Sequence, residues 1–162
     1  MISKDATKIA AVTGDLSAGE FENRIIVFDL VNLVSREFEL FNPTFSENNT
    51  STTGVQYADV MEFDFTGENL IYDAFNVLDG VFDQISYWDI GIINVFDNET
   101  QQFGDGNIFK LFTGLPEEVS IGNPTFAKNS PNIIAFDFRE IDPITDERTF
   151  NVLALDLSLI HI

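Results

Sequence analysis

Short segments in which apolar and polar residues alternate recur along the whole chain, and few stretches repeat apolar residues at the 3.6-residue period of a helix. Phe, Val and Ile fill these segments, and such residues suit the half-buried surface of a β-sheet. The pattern predicts an all-β fold with less than about a tenth of the chain in helices. The predicted strands are centred on residues 8–13, 24–29, 36–41, 60–65, 69–75, 88–96, 108–112, 123–127, 132–138 and 150–156.

One strand–turn–strand segment occurs three times. Residues 60–72 align with residues 123–135 at an offset of 63 without a gap. Residues 3–12 align with the copy at residues 60–72 at an offset of 61. Each copy has the end of one strand, a polar turn and then an apolar strand. Tandem copies of this kind are typical of architectures in which each repeat forms one supersecondary unit.

Two further landmarks follow these copies in the same order. An apolar strand ending in Asp occurs three times, at 25–29, 93–97 and 152–156, and residues 38–41 are similar to residues 109–112. A complete unit therefore has four short antiparallel strands, which is the blade pattern of a β-propeller. A β-sandwich also has many short strands, but it gives no reason for landmarks to recur in one order.

We therefore predict a single β-propeller-like domain over residues 1–162, with a β-sandwich as the alternative. The predicted blades are 2–41, which lacks its first strand, 60–112, and 123–158, which lacks its last strand. Three blades cannot close a ring, because known rings have at least about four. We expect the chain to be a piece of a longer propeller, or to pair through its open blade edges into a homodimer.

The landmark order resembles the repeat of TolB-type β-propellers, whose turn reads Ser-Pro-Asp-Gly and whose third strand ends in Ile-Tyr-Val-x-Asp. The residues that carry the resemblance are the partial turn Ser3-Lys4-Asp5-Ala6, the strand ends Asp29, Asp97 and Asp156, and Tyr87-Trp88-Asp89-Ile90. The resemblance covers nearly the whole chain and implies blades from a ring of about six to eight. Such propellers serve as scaffolds, binding domains and enzyme appendages, so the resemblance does not specify a function.

Composition excludes several kinds of site. The chain has no Cys, and its one His is His161, beside the C-terminus, so thiolate chemistry is absent and a Ser-His-Asp triad or a His-rich zinc site is disfavoured. The net charge of −19 disfavours nucleic acids and anionic membranes as partners. No apolar run is long enough to span a membrane, and no signal peptide is visible. We expect a periplasmic or extracellular location.

Acidic residues are concentrated in the connections that would share one face of a propeller. These connections are 15–23, 42–59, 73–89, 113–122 and 139–148, and their cations are Arg139 and Arg148. Capture of a cation or of an amine-bearing ligand is one interpretation of this face. General acidity of a soluble protein is the other.

Two clusters are candidates for binding. Phe82, Tyr87 and Trp88 with Asp89 are candidate ligand-binding residues, because aromatic rings stack on sugars and anchor interfaces; packing between blades is the alternative. Asp97, Glu99 and Asp105 are weak candidates for a calcium site, because calcium prefers several closely spaced oxygen ligands. The same stretch contains Asp105-Gly106, which is also typical of a simple hairpin turn. No other cofactor is expected.

The sequence favours a non-catalytic binding or scaffolding segment whose partner is a protein, a small molecule or a carbohydrate. An enzyme is the alternative. Asp73, Asp89 and Asp137 lie in or beside apolar strands, and a pair of carboxylates is the catalytic apparatus of glycosidases. A hydrolase whose catalytic domain lies outside this chain would also contain such a segment.

Overall fold

The computed structural model describes residues 1–13, 23–40, 51–79, 84–112, 114–116, 118–128, 130 and 132–159. Across these residues the chain forms β-strands and no α-helix; the only helical turn there is a 3₁₀ turn at Leu157–Leu159. The prediction of an all-β fold is therefore confirmed. These residues also contain no helix that is long and apolar enough to cross a membrane.

Twelve strands follow one another along the described chain. They are β1 (Lys8–Thr13), β2 (Arg24–Asp29), β3 (Val34–Glu39), β4 (Ser51–Phe63), β5 (Asn69–Asp79), β6 (Gln84–Asn94), β7 (Phe96–Asp97), β8 (Gln102–Phe103), β9 (Ile108–Lys110), β10 (Val119–Phe126), β11 (Ile133–Ile141) and β12 (Arg148–Asp156).

The strands form three main antiparallel sheets in chain order. The first sheet has the order β1-β2-β3, the second β4-β5-β6-β9 and the third β10-β11-β12. A two-stranded ribbon, β7-β8, lies in the connection between β6 and β9. Within each main sheet, every strand pairs with the main strand that follows it in the chain, as is common for antiparallel sheets.

The second sheet is buried on both faces. Leu70 and Tyr72 on one face pack with Ile25 and Val27 of the first sheet. Residues on the other face, including Ile71 and Ile90, pack with Ile121, Ile134 and Phe136 of the third sheet. Full burial of each Leu or Ile side chain is worth about 1.5–3 kcal/mol, so these two cores hold the three sheets together.

The strands run further than the sequence predicts at one end of the second and third sheets. Residues 73–89 were expected to be a connection, but β5 continues to Asp79 and β6 begins at Gln84. Polar residues such as Asp73 and Asn76 favour a loop by sequence. Both have hydrogen-bond partners inside the sheet, since Asp73 accepts the Val60 N–H and Asn76 Nδ2 donates to the Ala74 carbonyl.

The gap-free alignment of the repeats is wrong by one residue. Ile2 bridges Ile9 and Phe63 pairs with Leu70, which leaves six residues in each turn, whereas Phe126 pairs with Ile134 and leaves seven. A carboxylate closes the turn in the first two copies: Asp5 accepts the Thr7 N–H and Asp64 accepts the Glu68 N–H. The third copy has no Asp at this point, and its longer turn is closed by the Ser130 hydroxyl, which accepts the Asn132 N–H.

Asp97 is not the counterpart of Asp29 and Asp156. Asp29 pairs with Lys8 and Asp156 pairs with Ile133, and the same register in the second sheet joins Asn69 to Asn94. The third strand of that sheet therefore ends three residues earlier than predicted, and Asp97 ends the short strand β7.

Candidate functional site

Two bulges lie next to each other where the second and third sheets meet. The pairing of β4 with β5 shifts register between Ala58 and Met61, and the pairing of β10 with β11 shifts between Gly122 and Thr125. Asn123, in the second bulge, has a φ of 52°. Bulges bend a strand and redirect its side chains, and they are frequent beside functional sites.

Asp73 of β5 ties the two bulges together. Its carboxylate accepts the Val60 N–H at 2.8 Å from one bulge and the Asn123 N–H at 2.8 Å from the other. A Cβ at Gly122 would lie 3.2 Å from Asp73 Oδ2, so the absence of a side chain there permits this close approach. Burial raises the pKa of the Asp73 carboxyl, and the charge of Asp59 adds to this, although the backbone hydrogen bonds oppose it.

A cavity of about 230 Å³ opens beside this junction. It is smaller than the pockets of about 300–1,000 Å³ that hold drug-sized ligands, so it suits a small molecule. Its lining residues come from β4, β5 and β6 of the second sheet and from all three strands of the third. They are Asp59, Asp73, Trp88, Ser120, Ile121, Gly122, Asn123, Asp137, Arg139 and Phe150.

The indole of Trp88 is held in place by two other aromatic rings. Its centroid lies 5.4 Å from that of Tyr57 and 5.5 Å from that of Phe75, and the Tyr57 and Phe75 rings stack at 5.2 Å. Phe150 in β12 lines the same cavity and is 69% exposed. Aromatic pairs at these distances add about 0.5–1.5 kcal/mol beyond their burial, so Trp88 provides a rigid apolar wall.

Opposite charges line the cavity without pairing. Arg139 Nη2 donates to Ser120 Oγ at 3.3 Å, its Nε is buried without a hydrogen-bond partner, and it makes no ion pair with the described residues. Asp137 is exposed and accepts a hydrogen bond from Asn123 Nδ2 at 2.8 Å. Asp59 is exposed as well. Both Asp73 oxygens are already used by backbone amides, so Asp59, Asp137 and Arg139 are the charged groups open to a ligand.

The four residues expected to bind a ligand are placed differently from one another. Trp88 lines the cavity, whereas Tyr87 and Asp89 face the first sheet from the opposite side of β6, because neighbouring residues of a strand alternate between faces. Phe82 lies outside the described residues.

Tyr87 and Asp89 belong instead to a buried polar row on the second sheet. Asp89 is 1% exposed and its carboxylate lies 3.0 Å from Lys110 Nζ. The hydroxyls of Tyr72 and Tyr87 have no hydrogen-bond partner among the residues that the structure describes. Burial, together with the charge of Asp89, raises the pKa of both tyrosines well above the ordinary value, so they stay neutral.

Two of the three candidate metal ligands, Asp97 and Asp105, have structural roles in turns. Asp97 Oδ1 accepts the N–H groups of Glu99 and Thr100, and Asp105 accepts hydrogen bonds from the Asn107 amide and side chain. The hydrogen bonds from Thr100 and Glu99 lower the pKa of Asp97. Over the described ranges, no group of three or more His, Cys, Asp or Glu side chains is close enough to hold a metal ion. Calcium binding therefore stays a prediction from sequence.

Two other cavities, of about 320 and 400 Å³, lie toward the turns at the opposite end of the sheets. Most of their charged groups already have partners. Asp64 accepts hydrogen bonds within its turn, Glu62 accepts the Phe126 N–H at 2.7 Å, and Lys4 Nζ lies 3.7 Å from the centroid of Phe65. The cavity beside Trp88 is therefore the better candidate.

No family model, curated protein or solved structure matches the chain.

Proposed function

We propose that this chain is a non-catalytic binding module that holds a small molecule in the cavity beside Trp88. The observation that carries the proposal is the combination of a rigid indole with Arg139, Asp59 and Asp137, whose charges are not paired with one another. Convergent polar groups in an apolar-walled cavity are typical of small-molecule sites. A few hydrogen bonds fix the orientation of the ligand, and the aromatic wall provides its contact area.

We further propose that the three sheets are consecutive blades of a TolB-like propeller, in a periplasmic or extracellular protein. Three antiparallel sheets that stack face to face in chain order support this architecture over a two-layer sandwich. The cavity then lies at the edge where β10 meets the second blade, and Asp137, Arg139 and Phe150 reach it from the outward face of the third sheet.

Apolar side chains on the outward faces support a homodimer. Ile9 and Phe28, which are opposite each other in the first sheet, are 36% and 40% exposed, and Val152 and Ile133 on the outward face of the third sheet are 73% and 40% exposed. Exposed apolar faces of this kind favour association. We expect light scattering on a sizing column to give twice the chain mass of 18.2 kDa. A species of single-chain mass at all concentrations would contradict the dimer.

A glycosidase is the second candidate function. Asn123 bridges two carboxylates of the cavity, since its backbone N–H donates to Asp73 and its side chain to Asp137. A carboxyl with a raised pKa, such as Asp73, is the usual general acid of these enzymes. Against this role, both oxygens of Asp73 are occupied by backbone donors.

Replacing Phe150 by Ala should weaken ligand binding by about tenfold, because it removes one apolar wall of the cavity. Trp88 is the only tryptophan in the chain, so its fluorescence reports directly on occupancy of the cavity. A library of small metabolites and saccharides would be screened by thermal shift, and hits would be titrated against Trp88 fluorescence.

The matched control is Phe65→Ala, which removes an exposed Phe from a turn at the opposite end of the sheets and should leave the affinity unchanged. Hits that leave Trp88 unaffected, or that bind the Phe150→Ala variant as tightly as the wild type, would disprove the cavity as the site. Turnover of a glycoside by the wild-type chain would favour the glycosidase.

A further inference from the structure

The charges of the cavity narrow the class of ligand. Arg139 lines the cavity with a guanidinium that makes no ion pair with the described residues, while Asp59 and Asp137 present exposed carboxylates in the same space. The Arg139 Nε is buried, so a ligand in the cavity would contact the guanidinium through its Nη groups. Arg pairs readily with a carboxylate through such charge-assisted N–H groups.

Resting on the function proposed above, we propose that the ligand is a small zwitterion, namely an α-amino acid with an apolar side chain. Its carboxylate is bound by Arg139, its ammonium group lies against Asp59 and Asp137, and its side chain packs between Trp88 and Phe150. This arrangement gives each unpaired charge of the cavity an opposite partner.

Ligands of other charge fit less well. An anion would be repelled by Asp59 and Asp137 and by the net charge of −19. A simple amine would be opposed by the guanidinium and would leave the charge of Arg139 without a counter-ion. A neutral sugar would leave the three charges without counter-ions in a space that it would desolvate.

Four matched probes test the proposal: leucine, 3-methylbutylamine, 4-methylpentanoate and glucose. Trp88 fluorescence and calorimetry would be recorded at fixed ionic strength. Leucine should bind at least about tenfold more tightly than the amine or the acid, which each keep only one of its charges. Glucose should bind more weakly than leucine.

Arg139→Gln should lower the affinity for leucine by about tenfold or more and remove the preference over the amine. Arg139→Lys keeps the charge without the guanidinium and should recover part of the loss. Asp59→Asn should weaken the binding of leucine. It should not weaken the binding of 4-methylpentanoate, because it removes a carboxylate that repels this acid. Arg148→Gln and Asp146→Asn make the same charge changes outside the cavity lining and should have no effect.

Two results would overturn the zwitterion while leaving the binding module intact. One is tighter binding of the amine or of glucose that depends on Phe150. The other is leucine binding that Arg139→Gln leaves unchanged although Phe150→Ala weakens it. If none of the four probes binds, the zwitterion is again wrong, and the wider library then decides the binding function. Binding of leucine that Phe150→Ala does not weaken would overturn both proposals.

Discussion

Replacing Lys110 by Met should lower the free energy of unfolding by about 3–5 kcal/mol, because it leaves the carboxylate of Asp89 charged inside the second sheet without its cation. Lys110 is 8% exposed and its Nζ lies 3.0 Å and 3.1 Å from the two Asp89 oxygens. Methionine keeps most of the side-chain volume, so the loss would come from charge and not from a cavity. Urea unfolding followed by circular dichroism measures the change.

Two comparisons separate this cause from others. The double variant Lys110→Met with Asp89→Asn removes both charges and should recover most of the lost stability, since neutral replacements of a buried pair are tolerated far better than half of it. Arg24→Met breaks the exposed pair with Glu37, at 3.9 Å, and should cost less than about 1 kcal/mol. If Lys110→Met costs no more than Arg24→Met, the buried pair does not contribute as described.

The sequence predicts the strands well because their residues match the demands of a sheet. Predicted strands 8–13 and 24–29 coincide with β1 and β2, where the buried residues Ala10, Ile25 and Val27 alternate with more exposed ones. Such alternation is a local property that can be read along the chain. The order of strands within each sheet follows from short connections between antiparallel neighbours.

The turns were harder to predict, because their length depends on single hydrogen bonds. Asp64 closes a six-residue turn, whereas the equivalent turn in the third copy has Ser130 and one more residue. Similarly, Asp97 occurs in a sequence that resembles a strand end, but the end is Asn94, whose backbone N–H is bonded to Asn107. Chemically similar residues a few positions apart cannot be distinguished without the pairing register.

The sequence singles out Trp88, Asp73 and Asp137 as candidates and Arg139 as a cation of the acidic connections, and all four line the cavity. It does not single out Phe150 or the bulge residues Gly122 and Asn123, which reach the cavity where the third sheet meets the second. That contact depends on long-range packing. Because successive side chains of a strand point to opposite faces of the sheet, the sequence indicates that only one of Tyr87 and Trp88 can line the site.

Asp73→Ala should destabilise the fold by about 2–3 kcal/mol, because the N–H groups of Val60 and Asn123 lose their acceptor at the junction of two sheets. Asp73→Asn retains one acceptor oxygen and should cost less. Both changes are measured by urea unfolding at pH 7. Equal stability of Asp73→Ala and the wild type would show that water replaces the carboxylate without penalty.

The pH dependence of the same variants tests the raised pKa of Asp73. Because burial raises the pKa of this carboxyl in the folded state above its unfolded value of 3.8, the folded protein binds the proton more tightly. The stability of the wild type relative to Asp73→Asn should therefore increase as the pH falls through the folded pKa toward 3.8.

Asp29 provides the opposite case, since hydrogen bonds from Asn32 and Val31 outweigh its burial and lower its pKa. The stability of the wild type relative to Asp29→Asn should decrease on acidification below 3.8. Parallel curves for the two variants would contradict the assignment of opposite shifts to these carboxyls.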